Sequence, residues 1–315
     1  MDLQTKVLYL CFDLVVPLVV GILCRRQSKL DKDFFRRLIL INICVLYPIL
    51  SVLTLWTMPL NYSLLWLPVI GILLFLIPGA AAYLRMKGKF VSQLDKGSYI
   101  LSAMLSNTTS LGGLCAYILF GEIGFAASQM IVLLQNAFMF MFCFPLAQYY
   151  YQKSIGEDFS QQSLFNLLFT RTQLPVVGMA IGIALNLAGV ARPVLAGQMV
   201  DPLVHLGAWT ALIPIGYAID TAGMRKYYSV ILDLVPIKLI LTPVVGYLIA
   251  SALITNQTIV NTIVVLAAMP TAVNTVIAVQ LHKLNVDIAT AAFVLTTAVF
   301  IIAELPLLLL WMSMR

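Results

Sequence analysis

The chain has 315 residues, of which 61% are apolar and only 10% are charged. An average soluble protein has about 25% charged residues, so this composition excludes a soluble globular protein. The 19 lysines and arginines exceed the 13 acids, which gives a net charge of +6. Because these basic residues lie in short loops and form no basic face, the sequence does not predict nucleic-acid binding. It predicts an all-α integral membrane protein that lies in the lipid bilayer.

Ten apolar stretches follow one another along the chain, each near the roughly 20 residues that cross a bilayer as a helix. Spans one to ten lie at about 7–24, 38–57, 64–84, 98–120, 124–148, 175–191, 202–219, 229–254, 258–281 and 287–313. The longest connection between them contains the stretch 165–169, for which we predict a short interfacial helix. The sequence therefore predicts ten transmembrane helices.

The distribution of lysine and arginine predicts the orientation, because cytoplasmic loops carry the excess of these residues. Fifteen of them follow spans one, three, five, seven and nine, whereas three lie on the opposite side. Both termini are therefore expected on the outer, non-cytoplasmic side of the cell membrane. The basic residues follow the first span and do not precede it, which argues against a cleaved signal peptide.

Short similarities between the two halves of the chain indicate an internal repeat. Each pairs a span with the span five places further on, at offsets of 157 to 167 residues: Pro17 and Gly21 with Pro175 and Gly178, Pro48 with Pro214, Pro78 with Pro243, and Ala103, Met104 and Asn107 with Ala268, Met269 and Asn274. We predict a first repeat at 1–148, a central cytoplasmic loop at 149–174 and a second repeat at 175–315. Since five spans is an odd number, the second repeat is inverted, as in secondary transporters.

Spans four and nine contain sequence features that break a helix in mid-membrane. Residues 105–114 read LSNTTSLGGL, and residues 268–275 read AMPTAVNT. Ser, Thr and Asn compete for backbone hydrogen bonds, and Pro270 lacks an N–H group. The alternative is a pair of kinked helices that pack through Ser and Thr. Because both breaks fall at the same place in the repeat, the pattern favours broken helices whose amino ends attract an anion.

The same two stretches resemble a known family. Residues 107–112 (NTTSLG) with 117–121 (YILFG) resemble the NTGNLGLP and FG element of the auxin efflux carrier family, which comprises the PIN-FORMED proteins and their bacterial relatives. Residues 268–274 through 295–297 resemble the family's matching element in its second half. Ser110 stands where the family has a second Asn and Leu114 where it has a proline, which favours a bacterial-type member carrying a carboxylate or another small anion.

The resemblance implies a ten-span fold related to bile-acid symporters and sodium/proton antiporters, with two broken crossover helices. It further implies a scaffold domain that forms a homodimer, and an elevator-like transport domain. The expected cargo is a small organic anion, without a bound cofactor and with Na⁺ or H⁺ as the coupling ion to consider. The predicted substrate-binding residues are Asn107, Thr108, Thr109, Ser110, Gly112, Pro270, Thr271, Asn274, Thr275 and Lys238.

Lys238 belongs to this set because it lies nine residues into span eight, close to the middle of the bilayer. A charge at that depth costs at least ~3 kcal/mol, so it requires an explanation. The alternative is a buried lysine that pairs with a carboxylate of a neighbouring span. Asp13, Asp233 and Glu304 are the other charged residues within the spans. Interfacial snorkelling explains Asp233, whereas for Asp13 and Glu304 two explanations stay open: an ion site or water-filled vestibule, and a structural pair or cap.

The sequence thus predicts a secondary transporter for a small organic anion that works by alternating access, and not an enzyme. No nucleophile–base order, His-x-x-x-His spacing or Walker loop is present, and neither the histidines nor the five cysteines suggest a metal site. Two alternatives stay open. One is a bile-acid-type sodium symporter or cation/proton antiporter of the same fold, and the other is a non-transporting sensor built on it.

Overall fold

The computed structural model of the protein describes residues 3–27, 31–157, 174–218 and 224–313. The interfacial helix predicted at 165–169 lies outside these ranges. In the first half the helices are α1 (Leu3–Gln27), α2 (Lys32–Ile41), α3 (Tyr47–Leu55), α4 (Trp66–Arg85), α5 (Gln93–Met104), α6 (Gly113–Val132), α7 (Gln135–Phe138) and α8 (Phe144–Ile155). A 3₁₀ turn at Tyr62–Leu65 precedes α4.

The second half continues the all-helical architecture. Its helices are α9 (Leu174–Leu187), α10 (Val194–Gln198), α11 (Val200–Ala218), α12 (Tyr228–Ile231), α13 (Leu234–Pro236), α14 (Thr242–Leu253), α15 (Gln257–Ala267), α16 (Val273–Leu281), α17 (Val286–Val299) and α18 (Leu305–Ser313). Throughout the described ranges the chain forms helices and turns and no β-strand, apart from one isolated bridge that lies at the candidate site.

Seven helical segments of the described chain are long and apolar enough to cross a membrane: Leu8–Arg25, Asp33–Leu55, Tyr62–Arg85, Thr108–Ile155, Val194–Tyr217, Leu234–Leu253 and Val286–Trp311. Two shorter apolar helices, α9 and α15, accompany them. Large apolar side chains such as Leu8, Leu248 and Ile302 are 61–77% exposed on the outside of the bundle. Such a surface fits lipid and not water, so the structure is that of an all-α membrane protein.

Prolines explain where the long helices change geometry. Wider π-helical turns at Asn42–Leu46, Met139–Cys143, Ile237–Leu241 and Phe300–Glu304 each lie directly before a helix whose second residue is a proline: Pro48, Pro145, Pro243 and Pro306. A proline has no N–H to donate to the preceding turn, and its ring crowds the carbonyl one turn back. The helix widens there and continues beyond the proline, as π-bulges do.

Gly121 lies between two helical segments that together form α6. Gly121 has a φ of 67°, a left-handed conformation inside an otherwise helical stretch. Only glycine adopts this conformation without steric cost. The helix is therefore kinked at residue 121, at the position between predicted spans four and five.

Two helix pairs pack at very short distance through glycines. α1 packs on α11, where Gly21 faces the backbone of Gly216, and α9 packs on α3, where Gly178 faces the backbone of Pro48. A Cβ atom at any of the three glycines would overlap with the backbone of the facing helix. The first helix of each half therefore packs against the second long helix of the other half.

Gly178→Val should destabilise the fold, because the side chain has no space against Pro48. Overpacking typically costs about 1–3 kcal/mol, so we expect a clearly lower unfolding temperature in detergent. The matched control is Ala180→Val, since Ala180 lies two residues further along α9 and is exposed. Equal unfolding temperatures for the two variants would show that the α3–α9 contact is not close.

Candidate functional site

The two predicted breaks meet in the structure and pair through their backbones. Ser106 and Thr271 form an isolated antiparallel bridge between the two non-helical segments. The N–H of Asn107 donates to the carbonyl of Pro270 at 2.9 Å, and the N–H of Ala272 donates to the carbonyl of Leu105 at 2.9 Å. Because α5, the turn before α6, α15 and α16 all end or begin here, we call this point the crossing.

The two hydrogen bonds at the crossing are related by an exchange of the two halves of the chain. Shifting residue numbers by 165, the separation of Ser106 and Thr271, converts Asn107 into Ala272 and Leu105 into Pro270. Each bond is thereby converted into the other. The crossing therefore has local two-fold symmetry at an offset within the range of the sequence repeat.

Side chains satisfy backbone groups that the two broken helices leave without partners. The N–H of Thr271 donates to Thr296 Oγ1 at 3.0 Å, and Thr271 Oγ1 donates to the carbonyl of Ser102 at 2.8 Å. Since unpaired backbone groups are costly away from water, these threonines stabilise the non-helical conformation. Thr271 and Thr296 are fully buried and Pro270 is buried as well.

Lys238 lies directly against the crossing. Its side chain is 1% exposed, and its Nζ donates to the carbonyl of Ala103 at 2.8 Å and to Ser106 Oγ at 2.8 Å. Across the described residues, no carboxylate forms an ion pair with it, unlike the alternative considered from the sequence. The lysine instead caps the carboxyl end of α5, where a positive charge is favoured by the helix dipole.

The first half of the crossing is held by a chain of polar contacts. Asn107 Oδ1 accepts hydrogen bonds from Ser110 Oγ at 2.9 Å and from the N–H of Leu111 at 3.5 Å, as an N-cap. Thr108 Oγ1 donates to Gln135 Oε1 at 2.7 Å, and Gln135 Nε2 donates to the carbonyl of Gly71 at 3.0 Å. These buried groups fix the π-helical turn Thr108–Gly112 from which α6 continues.

A cavity of about 340 Å³ lies beside the crossing and contacts both half-helices at their amino ends. Thr109 and Ser110 line it from the turn before α6, and Val273 and Asn274 line it from the first turn of α16. The N–H groups in a first turn lack partners within the helix and carry partial positive charge. Two such ends on one cavity form an electropositive site without a charged side chain.

Polar side chains from other helices complete the cavity wall. Asn42, Tyr47, Gln129 and Asn136 line it, and apolar residues form the rest. Tyr47 OH donates to the carbonyl of Thr109 at 3.2 Å, and Gln129 Oε1 accepts a hydrogen bond from Ser51 at 3.4 Å. Gln129 Nε2 is buried and has no hydrogen-bond partner within the described ranges.

The predicted site residues separate into two groups. Thr109, Ser110 and Asn274 line the cavity. The others are buried in or against the crossing and hold its backbone, so they lie behind the cavity wall: Asn107, Thr108, Gly112, Pro270, Thr271, Thr275 and Lys238. The prediction did not include Asn42, Tyr47, Gln129 and Asn136. The sequence signal that could have identified these cavity residues is the presence of Asn and Gln inside the apolar spans two and five.

Further polar contacts lie on the opposite side of the crossing from the cavity-lining turns. Arg192 forms an ion pair with Glu122, and Tyr117 OH donates to Asp201 Oδ1 at 3.0 Å. Asp13, 4% exposed, contacts His205 Nδ1 and accepts a hydrogen bond from Trp209 Nε1 at 2.8 Å. These contacts join α1, α6 and α11 with the segment between α9 and α10.

The remaining charges within the predicted spans have simple environments. Asp233 contacts the ammonium group of Lys89 and lies 3.5 Å from Nε of Arg85, close to the basic loop after α4. Glu304 is half-buried. Within the part of the chain that the structure describes, no three His, Cys, Asp or Glu residues are grouped so that they could hold a metal ion.

A scan against protein-family models gives no match for this sequence, and no curated protein is significantly similar to it. The geometry of the crossing and its cavity is therefore the basis on which a function can be assigned to the chain.

Proposed function

We propose that the chain is a secondary transporter that carries a small organic anion across the cell membrane by alternating access. The observation that carries the proposal is the cavity at which the first turns of two half-helices meet. Interrupted helices whose amino ends point at an anionic group near the bilayer midplane are a feature of transporter sites. A membrane enzyme needs a reactive group. The described residues that line the cavity offer only amides, hydroxyls and apolar side chains.

The composition of the wall favours one class of anion. A carboxylate would accept hydrogen bonds from the first turns of both half-helices and from Gln129 Nε2, which lacks a partner within the described residues. The apolar part of the wall suits an apolar body, for example a ring or a short alkyl chain. A second carboxylate would lie against apolar side chains and lose hydration without compensation. We therefore propose a monocarboxylate with an apolar body as the substrate class.

The proposed architecture is ten transmembrane helices in two inverted repeats of five, as in the auxin efflux carrier family. The bridge between Ser106 and Thr271, whose separation of 165 residues matches the offset of the sequence repeat, and the reciprocal packing of α1 on α11 and α9 on α3 support the repeat. The apolar segment Thr108–Ile155 has 48 residues, enough for two passes, and Gly121 interrupts it. Short helices complete the proposed count of ten spans. α9 forms one span by itself, and α5, α15 and α16 each form half of a span.

The position of the cavity supports an inward-facing state of an elevator-like carrier. Its wall comes from the helix halves next to the basic loops, such as the first turns of α9 and the last third of α11. With both termini outside, this side faces the cytoplasm. The Arg192–Glu122 and Tyr117–Asp201 contacts lie on the outer side and would close it. Transport then requires that these contacts open as the crossing moves.

Uptake into proteoliposomes tests this proposal. Purified protein is reconstituted, and uptake of labelled benzoate, octanoate, succinate and citrate is measured with and without a sodium or proton gradient. We expect benzoate or octanoate to enter faster than the dicarboxylate and tricarboxylate. Sodium-dependent uptake of the same anions would favour the sodium-symporter alternative. Binding without uptake of any anion would favour the sensor.

Gln129→Leu should weaken binding of the transported monocarboxylate while leaving the fold intact. The leucine is close in size but cannot donate a hydrogen bond, and a hydrogen bond to a charged group contributes about 1.5–3 kcal/mol. The dissociation constant should therefore rise at least about tenfold in a titration calorimetry experiment. Gln280→Leu is the control, because Gln280 is exposed on α16 and does not line the cavity. If both variants bind as the wild type does, Gln129 does not contact the ligand.

A further inference from the structure

A second and larger cavity lies between α4, α5 and α8. It has a volume of about 660 Å³ and is formed by the last turns of α4, by α5 and by α8. Its floor is apolar and includes Leu76, Ile100, Met104 and Leu146. The neighbouring surface of α4 is open, with Leu84 67% exposed and Tyr83 49% exposed. The groove is therefore accessible from the surface that contacts lipid.

The mouth of this groove is basic. Lys96 and Lys153 line it, and Lys87 lies 5.7 Å from the centroid of the Tyr83 ring, which also lines it. Lys153 Nζ donates to Tyr149 OH at 3.1 Å. Lys96 forms no side-chain hydrogen bond or ion pair with another residue in the described part of the chain. No acidic residue is among the described residues that line the groove.

The position of the groove along the helices matches the level of lipid headgroups. It lies at the ends of α4 and α8 that join the basic loops, where Tyr83, Tyr149 and Tyr150 accompany the lysines. Tyrosines are enriched at membrane–water interfaces, and basic pockets between helices bind anionic headgroups on the cytoplasmic side. An apolar floor, a tyrosine rim and two lysines without an acidic partner in the described part of the chain together fit a molecule that has both an acyl chain and a phosphate.

We propose that this groove binds one anionic phospholipid. An acyl chain occupies the apolar floor, and the phosphate contacts Lys96 and Lys153 at the mouth. The proposal depends on the chain being a membrane protein and not on the transport function proposed above. A failure of transport would therefore leave it standing, and its own failure would not affect the transport proposal.

Native mass spectrometry of the detergent-purified protein tests the proposal with three probes: dioleoyl phosphatidylglycerol, dioleoyl phosphatidylcholine and glycerol 3-phosphate. The test variant is the double replacement Lys96→Gln with Lys153→Gln. Its control is Lys226→Gln with Lys283→Gln, because these two lysines lie over tyrosine rings as Lys153 does but do not line the groove. A second test variant, Ala80→Trp, fills the floor without changing the charge.

We expect phosphatidylglycerol to bind in preference to phosphatidylcholine, and glycerol 3-phosphate not to displace it. The double variant should weaken phosphatidylglycerol binding about thirtyfold, since each lysine near an anionic lipid contributes about fivefold. Ala80→Trp should also abolish the preference, while the control pair binds as the wild type does. Equal binding of the two lipids, displacement by glycerol 3-phosphate, or unchanged binding by both test variants would overturn the proposal.

Discussion

Lys238→Met should produce a folded protein that binds and transports its anion at least about tenfold less well. Methionine keeps the length of the side chain but removes the positive charge and the donors to the carbonyl of Ala103 and to Ser106 Oγ. A buried acceptor left without a partner costs about 1–3 kcal/mol, which distorts the crossing where both half-helices begin. The loss of charge also weakens the positive field that the two amino ends provide.

Two controls separate these effects. Thr242 is a buried residue on α14, near Lys238 but away from the crossing, and its Oγ1 donates to the carbonyl of Ile237. Thr242→Val removes this polar group. It should lower the unfolding temperature without a comparable loss of affinity. A pH series on the wild type and on Lys238→Met then tests whether the charge itself matters. Unchanged affinity and unchanged uptake in Lys238→Met across that series would show that this lysine has only a packing role.

Lys238 also bears on the choice of coupling ion. Its ammonium group contacts the carbonyl oxygen of Ala103, at the carboxyl end of α5, and the hydroxyl oxygen of Ser106. A sodium ion would use oxygen ligands of the same kind. We propose that Lys238 takes the place of a bound cation. On this hypothesis wild-type uptake continues without sodium, which the gradient arms of the uptake experiment measure.

Asn274→Asp should have the largest effect on anion binding of any cavity variant. Aspartate has nearly the same shape, but it adds a negative charge at the first turn of α16, in the cavity wall. Two like charges about 4 Å apart repel by about 4 kcal/mol at an effective dielectric constant of about 20. Affinity for benzoate should therefore fall by about a thousandfold, as measured by titration calorimetry. The fold should tolerate the change, since a helix amino end favours a carboxylate.

The comparison with an uncharged ligand shows whether the effect is electrostatic. Benzamide has the shape of benzoate without its charge, so Asn274→Asp should bind it as the wild type does. Asn274→Ala should reduce benzoate affinity by only about 1.5–3 kcal/mol, the contribution of one hydrogen bond to a charged group. If Asn274→Asp binds benzoate normally, the cavity is not the anion site.

Local chemistry explains why the breaks could be predicted from the sequence. Pro270 and the Ser, Thr and Asn cluster after Leu105 cannot sustain a regular apolar helix, and the structure leaves helical geometry at 105–107 and 268–272. The ends of helices were less predictable. Span five was expected to end at 148, yet α8 continues to Ile155 because Tyr150 is buried against the neighbouring helices. Apolar composition alone did not reveal that contact.

The cavity wall and the partners of Lys238 could not be predicted, because they arise from residues far apart in the chain. Periodicity in a span that is apolar on all sides indicates depth but not which face meets the cavity, so Gln129 and Asn42 were not selected. The acceptors of Lys238 are a backbone carbonyl and a hydroxyl 132 to 135 residues away. Sequence reasoning considered only carboxylates as its partners, although the exposed carbonyls at the end of a broken helix are equally suitable.

The central claim is that this chain carries a monocarboxylate through the cavity beside the crossing, and counterflow tests it most directly. Proteoliposomes are loaded with an excess of unlabelled benzoate and diluted into a trace of labelled benzoate without any ion gradient. A carrier that alternates between two states accumulates the label transiently above its equilibrium level, which neither a channel nor a sensor does. We expect this overshoot for the wild type and its loss in Asn274→Asp. The same time course of labelled benzoate in protein-containing and empty liposomes would contradict the account.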